Sequence, residues 1–436
     1  MIRSMSTRAT GFADPVELRG LTALVLGGTG LIGSHVVASL LRRGCAVRVL
    51  SRWAGAEESA QPLPAALRGM NVTLVRGDLD DPESIRRAIP GCDLLFHVAA
   101  PYPTRHFGMG GFVRKAESRM QDLLAICREA TAPSLLRVEA PRSRRIAVEQ
   151  ADMAAHIARV QPERVERVRA QVRDSSLVPL AEQGMLNASL HAPLREVRNL
   201  PGLKRIVYTS SVTTIGWPRG REPGLASDLP AREADRYDAA RDPSPYFMCK
   251  RLLEAAVVRA ANEGLPAVVV NPTLVVGPGD AHMTTGRLVV AVATGRMPFY
   301  LAGRMNAIAA EDVGEGQVRA AVSGRTGQRY ILGNEAMSVR EFLTLIAEEA
   351  GVRPPWIPMP LAIAEPISLA TEIAAWIAGS RWPLFPTHGL RMARWTPPVD
   401  AGLAVRELGL PQTPVREAVL RAIEWYRREG LLRTRD

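Results

Sequence analysis

Two short stretches of this chain hold side chains that could do chemistry together. In Tyr246-Phe-Met-Cys-Lys250 a phenol and an amine stand four residues apart, one helical turn along the same face. A free tyrosine ionises near pH ~10. A neighbouring ammonium favours the phenolate and lowers that value by roughly 1–3 units, so the pair makes a poised proton donor and acceptor. In Tyr208-Thr-Ser-Ser-Val-Thr-Thr-Ile-Gly216 the hydroxyls of Ser210 and Ser211 follow an apolar run. A serine bonded to the same carbonyl or alcohol oxygen would orient it for hydride transfer. The chain has seven tyrosines, and its only lysines are Lys115, Lys204 and Lys250, so this pairing rarely arises by chance.

Such groups need a scaffold and a hydride carrier, and the stretch from Leu21 to Arg52 supplies both. Thr22 to Leu26 is an apolar run that reads as a buried strand. Gly27, Gly30 and Gly33 follow, and Leu31 to Leu41 has helical periodicity. Gly44 ends it, and Ala46 to Leu50 is a second strand. This is a βαβ unit. Its glycines permit a sharp turn, close approach of a pyrophosphate and tight helix–strand packing. The helix N-terminus offers free N–H groups and the positive end of a dipole. Thr29, Leu31 and Ile32 share that phosphate-binding turn with the glycines. The second strand ends in Ser51-Arg52 with no acid. An acid there would hold the ribose 2′-OH of NAD, whereas a basic side chain accommodates the 2′-phosphate of NADP. NADP is therefore the expected cofactor, with NAD as the alternative.

Further along, Val72 to Val75 is a third strand, and Asp78-Leu79 follows it, the aspartate suited to accept from the adenine amino group. Asp81-Pro82-Glu83 opens a helix. Asp93 to His97 is a fourth strand running into Val98-Ala99-Ala100, whose small side chains would let the cofactor ribose lie against the backbone. His97 reads as core packing. Phe112 to Ala130 is a helix, Ile206 to Tyr208 a fifth strand and Ala267 to Val270 a sixth. The region from about 131 to 199 is too long for an ordinary connection. It reads as a helical, arginine-rich insertion serving as a lid, an oligomer contact or an excursion. Beyond Asn271-Pro272-Thr273 the pattern shifts to loops and short helices, then Gln328 to Leu332 as a strand, with helices over Val339 to Ala350 and Pro414 to Glu429.

The expected fold class is α/β, a Rossmann-type doubly wound parallel sheet with a smaller C-terminal α/β substrate-binding region. The divisions are an N-terminal extension over 1–20, the dinucleotide-binding unit over 21–272 with its insertion, and the substrate region over 273–436.

Composition narrows the class. A net charge of +11 over 436 residues suggests nucleic acid at first sight. The basic residues are almost all arginine, are interleaved with acids and form no aromatic-rich stripe, so no nucleic acid is expected. Cys45, Cys92, Cys127 and Cys249 have no metal-ligand spacing, so no metal is expected, and they fit a reducing, cytoplasmic compartment. The first twenty residues lack the apolar run of a secretory signal. Pro360 to Phe385 is apolar but broken by Glu365, Pro366 and Glu372. It reads as part of a lid or as a helix resting on a membrane surface, not as a span.

The glycine loop, Ser210-Ser211, Tyr246-x-x-x-Lys250 and Pro272 together resemble the extended short-chain dehydrogenase/reductases, the NAD-dependent epimerase/dehydratase group. Asn271-Pro-Thr-Leu-Val-Val-Gly-Pro278 is similar to the dihydroflavonol-reductase-like branch. Gly295-Arg-Met-Pro298, Arg329-Tyr-Ile-Leu-Gly333 and Val405-Arg-Glu-Leu-Gly-Leu-Pro411 are similar to the hopanoid-associated sugar epimerase subgroup. The resemblance implies Tyr246 as general acid/base and Lys250 as the group that lowers its pKa and bonds the nicotinamide ribose. It implies Ser211 as the hydroxyl that polarises the substrate oxygen. It places Gly27, Gly30 and Gly33 at the pyrophosphate, Arg52 at the 2′-phosphate, Asp78 at the adenine, and Pro272, Thr273 and Leu274 along the nicotinamide. It also implies a homodimer. One position departs: the family has Asn-Val-x-Gly-Thr opening its fourth helix, and Ala116 stands at the Asn place. A second register, on Asn187, would be interrupted by Pro193.

The function expected is NADP-dependent hydride transfer between nicotinamide and a carbonyl or secondary alcohol. A nucleotide-sugar epimerase or dehydratase with tightly held NAD is the alternative, with Arg287, Arg296 and Arg304 available for a diphosphate. A cofactor-binding scaffold or sensor is the second alternative.

Overall fold

The structure is a computed structural model that describes residues 17–52, 64–99, 109–131, 135, 194–218, 229–235, 245–377, 390 and 396–432. Its centre is a sheet of seven parallel strands in the order β10-β6-β5-β4-β1-β2-β3. The apolar runs make β1 (Thr22–Leu26), β2 (Ala46–Ser51), β3 (Thr73–Arg76), β4 (Leu94–His97), β5 (Arg205–Thr209) and β6 (Ala267–Pro272). β1, β4, β5 and β6 are buried almost throughout, as expected of strands covered on both faces.

One face carries α1 (Leu31–Arg42) and the other carries α2 (Pro82–Ala88) and α3 (Met109–Ala130). Leu194–Val197 forms a single turn, α4, before β5. α5 (Pro245–Asn262) packs beside α3. Two separate cores result. Val36, Val37 and Leu40 of α1 belong to the first, and Leu123, Cys127, Leu252 and Val257 of α3 and α5 to the second.

The chain after β6 is more regular than its sequence suggests. It runs through β7 (Leu274–Val276), α6 (Gly286–Ala293), β8 (Phe299–Leu301), β9 (Arg304–Ala309) and α7 (Ala310–Ser323). The seventh strand of the large sheet, β10 (Arg329–Leu332), follows, then β11 (Glu335–Ser338), α8 (Val339–Ala350) and β12 (Ile357–Met359). Helices α9 (Leu361–Ile377), α10 (Gly402–Leu408) and α11 (Val415–Arg428) complete the described chain. β11, β9 and β7 form a small sheet, and β12 pairs β8. Helices α6, α8 and α11 enclose a third core with Phe342, Ile346 and Ile423.

α7 was not expected, and it packs along α1. A Cβ on Gly314 would lie 2.5 Å from the backbone carbon of His35. The glycine that spoils the helical pattern is the residue that lets the two helices touch. The large sheet thus draws on residues to both sides of position 272.

Among the described residues no helix is long and apolar enough to cross a membrane, and no His, Cys, Asp and Glu cluster could hold a metal. All four cysteines are free and buried.

Candidate active site

The strand order reverses between β1 and β4, and ligands of open α/β sheets bind outside the carboxyl ends of the strands at such a point. Gly27 leaves β1 with φ +88°. A Cβ there would stand 2.6 Å from the amide nitrogen of Ala99, which leaves β4 beside it. A Cβ on Gly33 would stand 2.1 Å from the Gly27 carbonyl oxygen. Gly28, not singled out from the sequence, is equally confined, since its Cβ would meet Val49 at 2.8 Å. Gly30 is the N-cap of α1 and brings no side chain to the helix end, and the first turn, containing Leu31, Ile32 and Gly33, carries no acid. Helix starts are ordinarily satisfied by such groups. A backbone cradle with an uncapped positive helix end fits the pyrophosphate of a dinucleotide. Gly27→Ala combines a left-handed backbone with a clash. It should weaken binding of NADH or NADPH at least about tenfold, as read by fluorescence titration; unchanged affinity for both would remove the cradle from the site.

Past the carboxyl ends of β2 and β3, Arg52 and Asp78 come together. Arg52 Nε lies 4.0 Å from Asp78 Oδ2, with the arginine side chain 71% exposed. Asp78 also caps its own turn by accepting from the Asp80 amide at 3.0 Å, and Leu79 packs against the second core. Val98 and Ala99 follow β4 as expected, each amide donating to the Leu26 carbonyl at 2.9 Å. Ala100 lies outside the described residues, as does nearly all of the 131–199 insertion with Asn187 and Pro193. Pro272 ends β6, and the Thr273 hydroxyl lies 3.1 Å from Asn306 Oδ1. Leu274 opens β7.

Tyr246 and Lys250 are both buried on the first turns of α5, and Ser211 is buried just past β5. A hydrogen bond links Ser211 to Tyr246. Lys250 Nζ donates to the Ser210 carbonyl at 3.4 Å, while the buried Ser210 hydroxyl has no partner. Burial dominates the electrostatics here. It pushes Tyr246 up to about 12, against the lowering influence of the Ser211 hydrogen bond, and pushes Lys250 down to about 8. The sequence expectation that the ammonium would hold the phenol down is not met, because desolvation disfavours both charged forms. At neutral pH Tyr246 keeps its proton and Lys250 its charge. His97, expected in the core, is buried next to this site: burial and then Lys250 push it down to about 3, its ring lies 5.6 Å from Tyr208, and its Nδ1 has no partner. It is neutral, so Lys250 is not opposed by a second cation.

The depressed Lys250 has a consequence for stability. Between about pH 8 and the ordinary lysine value near 10.4 the unfolded chain binds more protons than the folded one, so this group's contribution to stability rises with pH. Lys250→Met should therefore be at least as stable as the native chain near pH ~7 and lose that advantage near pH ~10. Urea unfolding at the two pH values checks this, and a variant less stable near neutral pH would contradict it.

Behind Ser211 lies a buried network that the sequence did not disclose. Glu254 stands one turn beyond Lys250 on α5. Its Oε2 accepts from the Thr214 hydroxyl at 2.6 Å and from Asn271 Nδ2 at 2.7 Å. Its Oε1 pairs with Arg329 Nε of β10 at 2.8 Å. Asn271 Nδ2 also lies 3.2 Å from the Ser211 carbonyl. Three elements are tied to the serine's backbone through one carboxylate. The only sequence signal is the four-residue spacing Tyr246, Lys250, Glu254.

Ala116 lies buried in the second core on α3, which is one continuous helix.

The NAD dependent epimerase/dehydratase family matches residues 108–333, more than half of the chain, and the chain belongs to it. Membership makes it an NAD(P)-dependent enzyme of the oxidoreductase or epimerase kind. Residues 21–116 also match the NmrA-like family. The chain is 27% identical over 421 residues to a Synechocystis protein provisionally named dihydroflavonol 4-reductase, spanning 94% of this chain and 96% of that one. It is 26% identical to sterol demethylase protein B of Methylococcus capsulatus, over 94% of this chain and 100% of that one. Among solved structures, gox2253 superposes with TM-score 0.65 at 25% identity, covering 94% of this chain and 99% of that chain. A nucleoside-diphosphate-sugar epimerase from Pseudomonas aeruginosa superposes with TM-score 0.61 at 24% identity, over 95% and 99%.

Proposed function

We propose that the chain is an NADP-preferring oxidoreductase that moves hydride between the nicotinamide and a carbonyl or secondary alcohol, with Ser211, Tyr246 and Lys250 as its catalytic residues. The observation that carries this is the meeting of Tyr246 with Ser211 beside Lys250, next to a backbone cradle that fits a dinucleotide. The nicotinamide cofactor, when bound, supplies or accepts the hydride. In the reductive direction the Ser211 hydroxyl orients the substrate oxygen and Tyr246 hands it a proton as alkoxide charge develops. The Lys250 ammonium would stabilise the phenolate left behind and would hold the nicotinamide ribose. Val98, Ala99, Pro272, Thr273 and Leu274 would border the cofactor, and Asp78 would take the adenine edge. The third core and the two small sheets supply the substrate side.

The exposed guanidinium of Arg52, at the end of β2 with no acid beside it in sequence, supports NADP. Losing a charge-assisted contact to the 2′-phosphate costs about 1.5–3 kcal/mol, roughly tenfold to a hundredfold in affinity. Calorimetry should show NADPH bound more tightly than NADH, and Arg52→Asp should reverse the order. Equal affinities unaffected by the substitution would remove Arg52 from the site.

The second reading, an epimerase or dehydratase acting on a nucleotide sugar with NAD retained, is supported by the likeness to the sugar-nucleotide epimerases. Arg287, Arg296 and Arg304 are exposed on separate elements. Arg287 is balanced by Asp280, and Arg304 neighbours Glu341, which weakens the case for a ready diphosphate pocket.

A further inference from the structure

We propose that helix α9 docks this protein onto the surface of a lipid bilayer. The helix is built inside out. Its inward stripe is Ala364, Ser368 and Glu372, at the i, i+4, i+8 spacing of one face and each at most 8% exposed. Its outward side carries Ile363, Ile367, Leu369, Ile373 and Ile377, between 39% and 74% exposed. At ~100° per residue these side chains, with Ala362, Pro366, Ala370 and Ala374, fill an arc about 160° wide that contains no charged or hydrogen-bonding side chain. Glu365 stands at its rim. A helix of a water-soluble surface turns its apolar stripe to the core and its polar side outward; α9 does the reverse. Of the nine large apolar side chains left exposed among the described residues, five are on this helix, and Trp356 stands just before it.

The occupant that fits is lipid. A 17-residue helix is about 26 Å long and ~10 Å wide. Its outer face therefore spans a few hundred Å², short of the roughly 800 Å² per partner that a stable protein interface uses. The arc lacks the polar rim and hydrogen-bonding groups of a protein contact, while acyl chains ask for none. The helix is not apolar enough to cross a bilayer, but one that lies in the interface buries only one face. Trp356, with the Arg353 guanidinium 5.0 Å over its ring, pairs an aromatic with a cation as suits the headgroup level. The net charge of +11 favours an anionic leaflet. The inference holds whichever reaction the catalytic residues perform.

The test is flotation of the full chain with vesicles of mixed phosphatidylglycerol and phosphatidylcholine at physiological ionic strength, beside the double variant Ile367→Asp/Ile373→Asp. Both substituted positions are exposed, so the thermal melt should not change. The native chain should float with the vesicles, and the double variant should bind at least tenfold more weakly. Three results would overturn the proposal: a native chain that stays with the soluble fraction, binding that the double variant retains, or sedimentation showing a dimer that the double variant dissociates. The last would assign the face to a second copy.

Discussion

Tyr246→Phe should lower turnover by roughly 10²–10⁴-fold, the range general acid catalysis contributes, while leaving NADPH affinity and the melting transition nearly unchanged. The substitution removes one oxygen from a side chain whose ring is already fully packed, its edge meeting Phe247 at 6.2 Å between centroids. Burial keeps this phenol protonated, pushed up to about 12, so in the proposed reduction it would start as an acid with its proton in place. Ser211 shares a hydrogen bond with Tyr246 and would have to ionise in its stead, and complete burial holds Tyr208 well above the ordinary phenol value. Single-turnover kinetics with the responding carbonyl checks this. A loss below tenfold would mean that the proton comes from elsewhere and that Tyr246 only packs.

The second large effect is on stability. Glu254→Ala should destabilise the fold by about 3–5 kcal/mol, the cost of stranding one member of a buried ion pair. Arg329 would keep its bonds to the Glu233 and Thr214 carbonyls but would lose the carboxylate paired with its Nε, with the Glu233 carboxyl left as its remaining acidic neighbour. Asn271 and Thr214 would lose the acceptor that orients them. Glu254→Leu with Arg329→Met removes both charges and should recover much of the loss, since replacing a buried pair by apolar groups is often neutral. Urea unfolding of the three variants measures this. A single variant within about 1 kcal/mol of the native chain, the range of exposed pairs, would show that the pair is solvated.

The parts of the fold that could be read in the sequence are those in which local pattern and tertiary environment agree. β1 and the helix over 339–350 have the bounds expected, because an uninterrupted apolar run and a Ser338–Glu341 capping box leave few alternatives. The glycine cradle was legible for the same reason. α7 was hidden because Gly314 serves close packing against α1 and Gly316 against Leu410 and then Leu332 of β10, which a helical propensity cannot anticipate. The three-residue strands β7, β8 and β12 are too short to show a period. The Glu254 network joins residues 214, 254, 271 and 329, whose proximity exists only after the sheet has formed. The charge states of Tyr246 and Lys250 depended on burial that spacing alone does not report.

The most direct measurement is the near-ultraviolet absorbance of reduced nicotinamide when the purified protein, loaded with NADPH, is mixed with a panel of aldehydes and ketones. A net, stoichiometric loss of absorbance with at least one carbonyl, abolished in Tyr246→Phe, is the expected result. Protein that arrives carrying tightly bound NAD, converts a nucleotide sugar and shows no net absorbance change with any carbonyl would contradict hydride exchange with an outside substrate and establish the epimerase cycle instead.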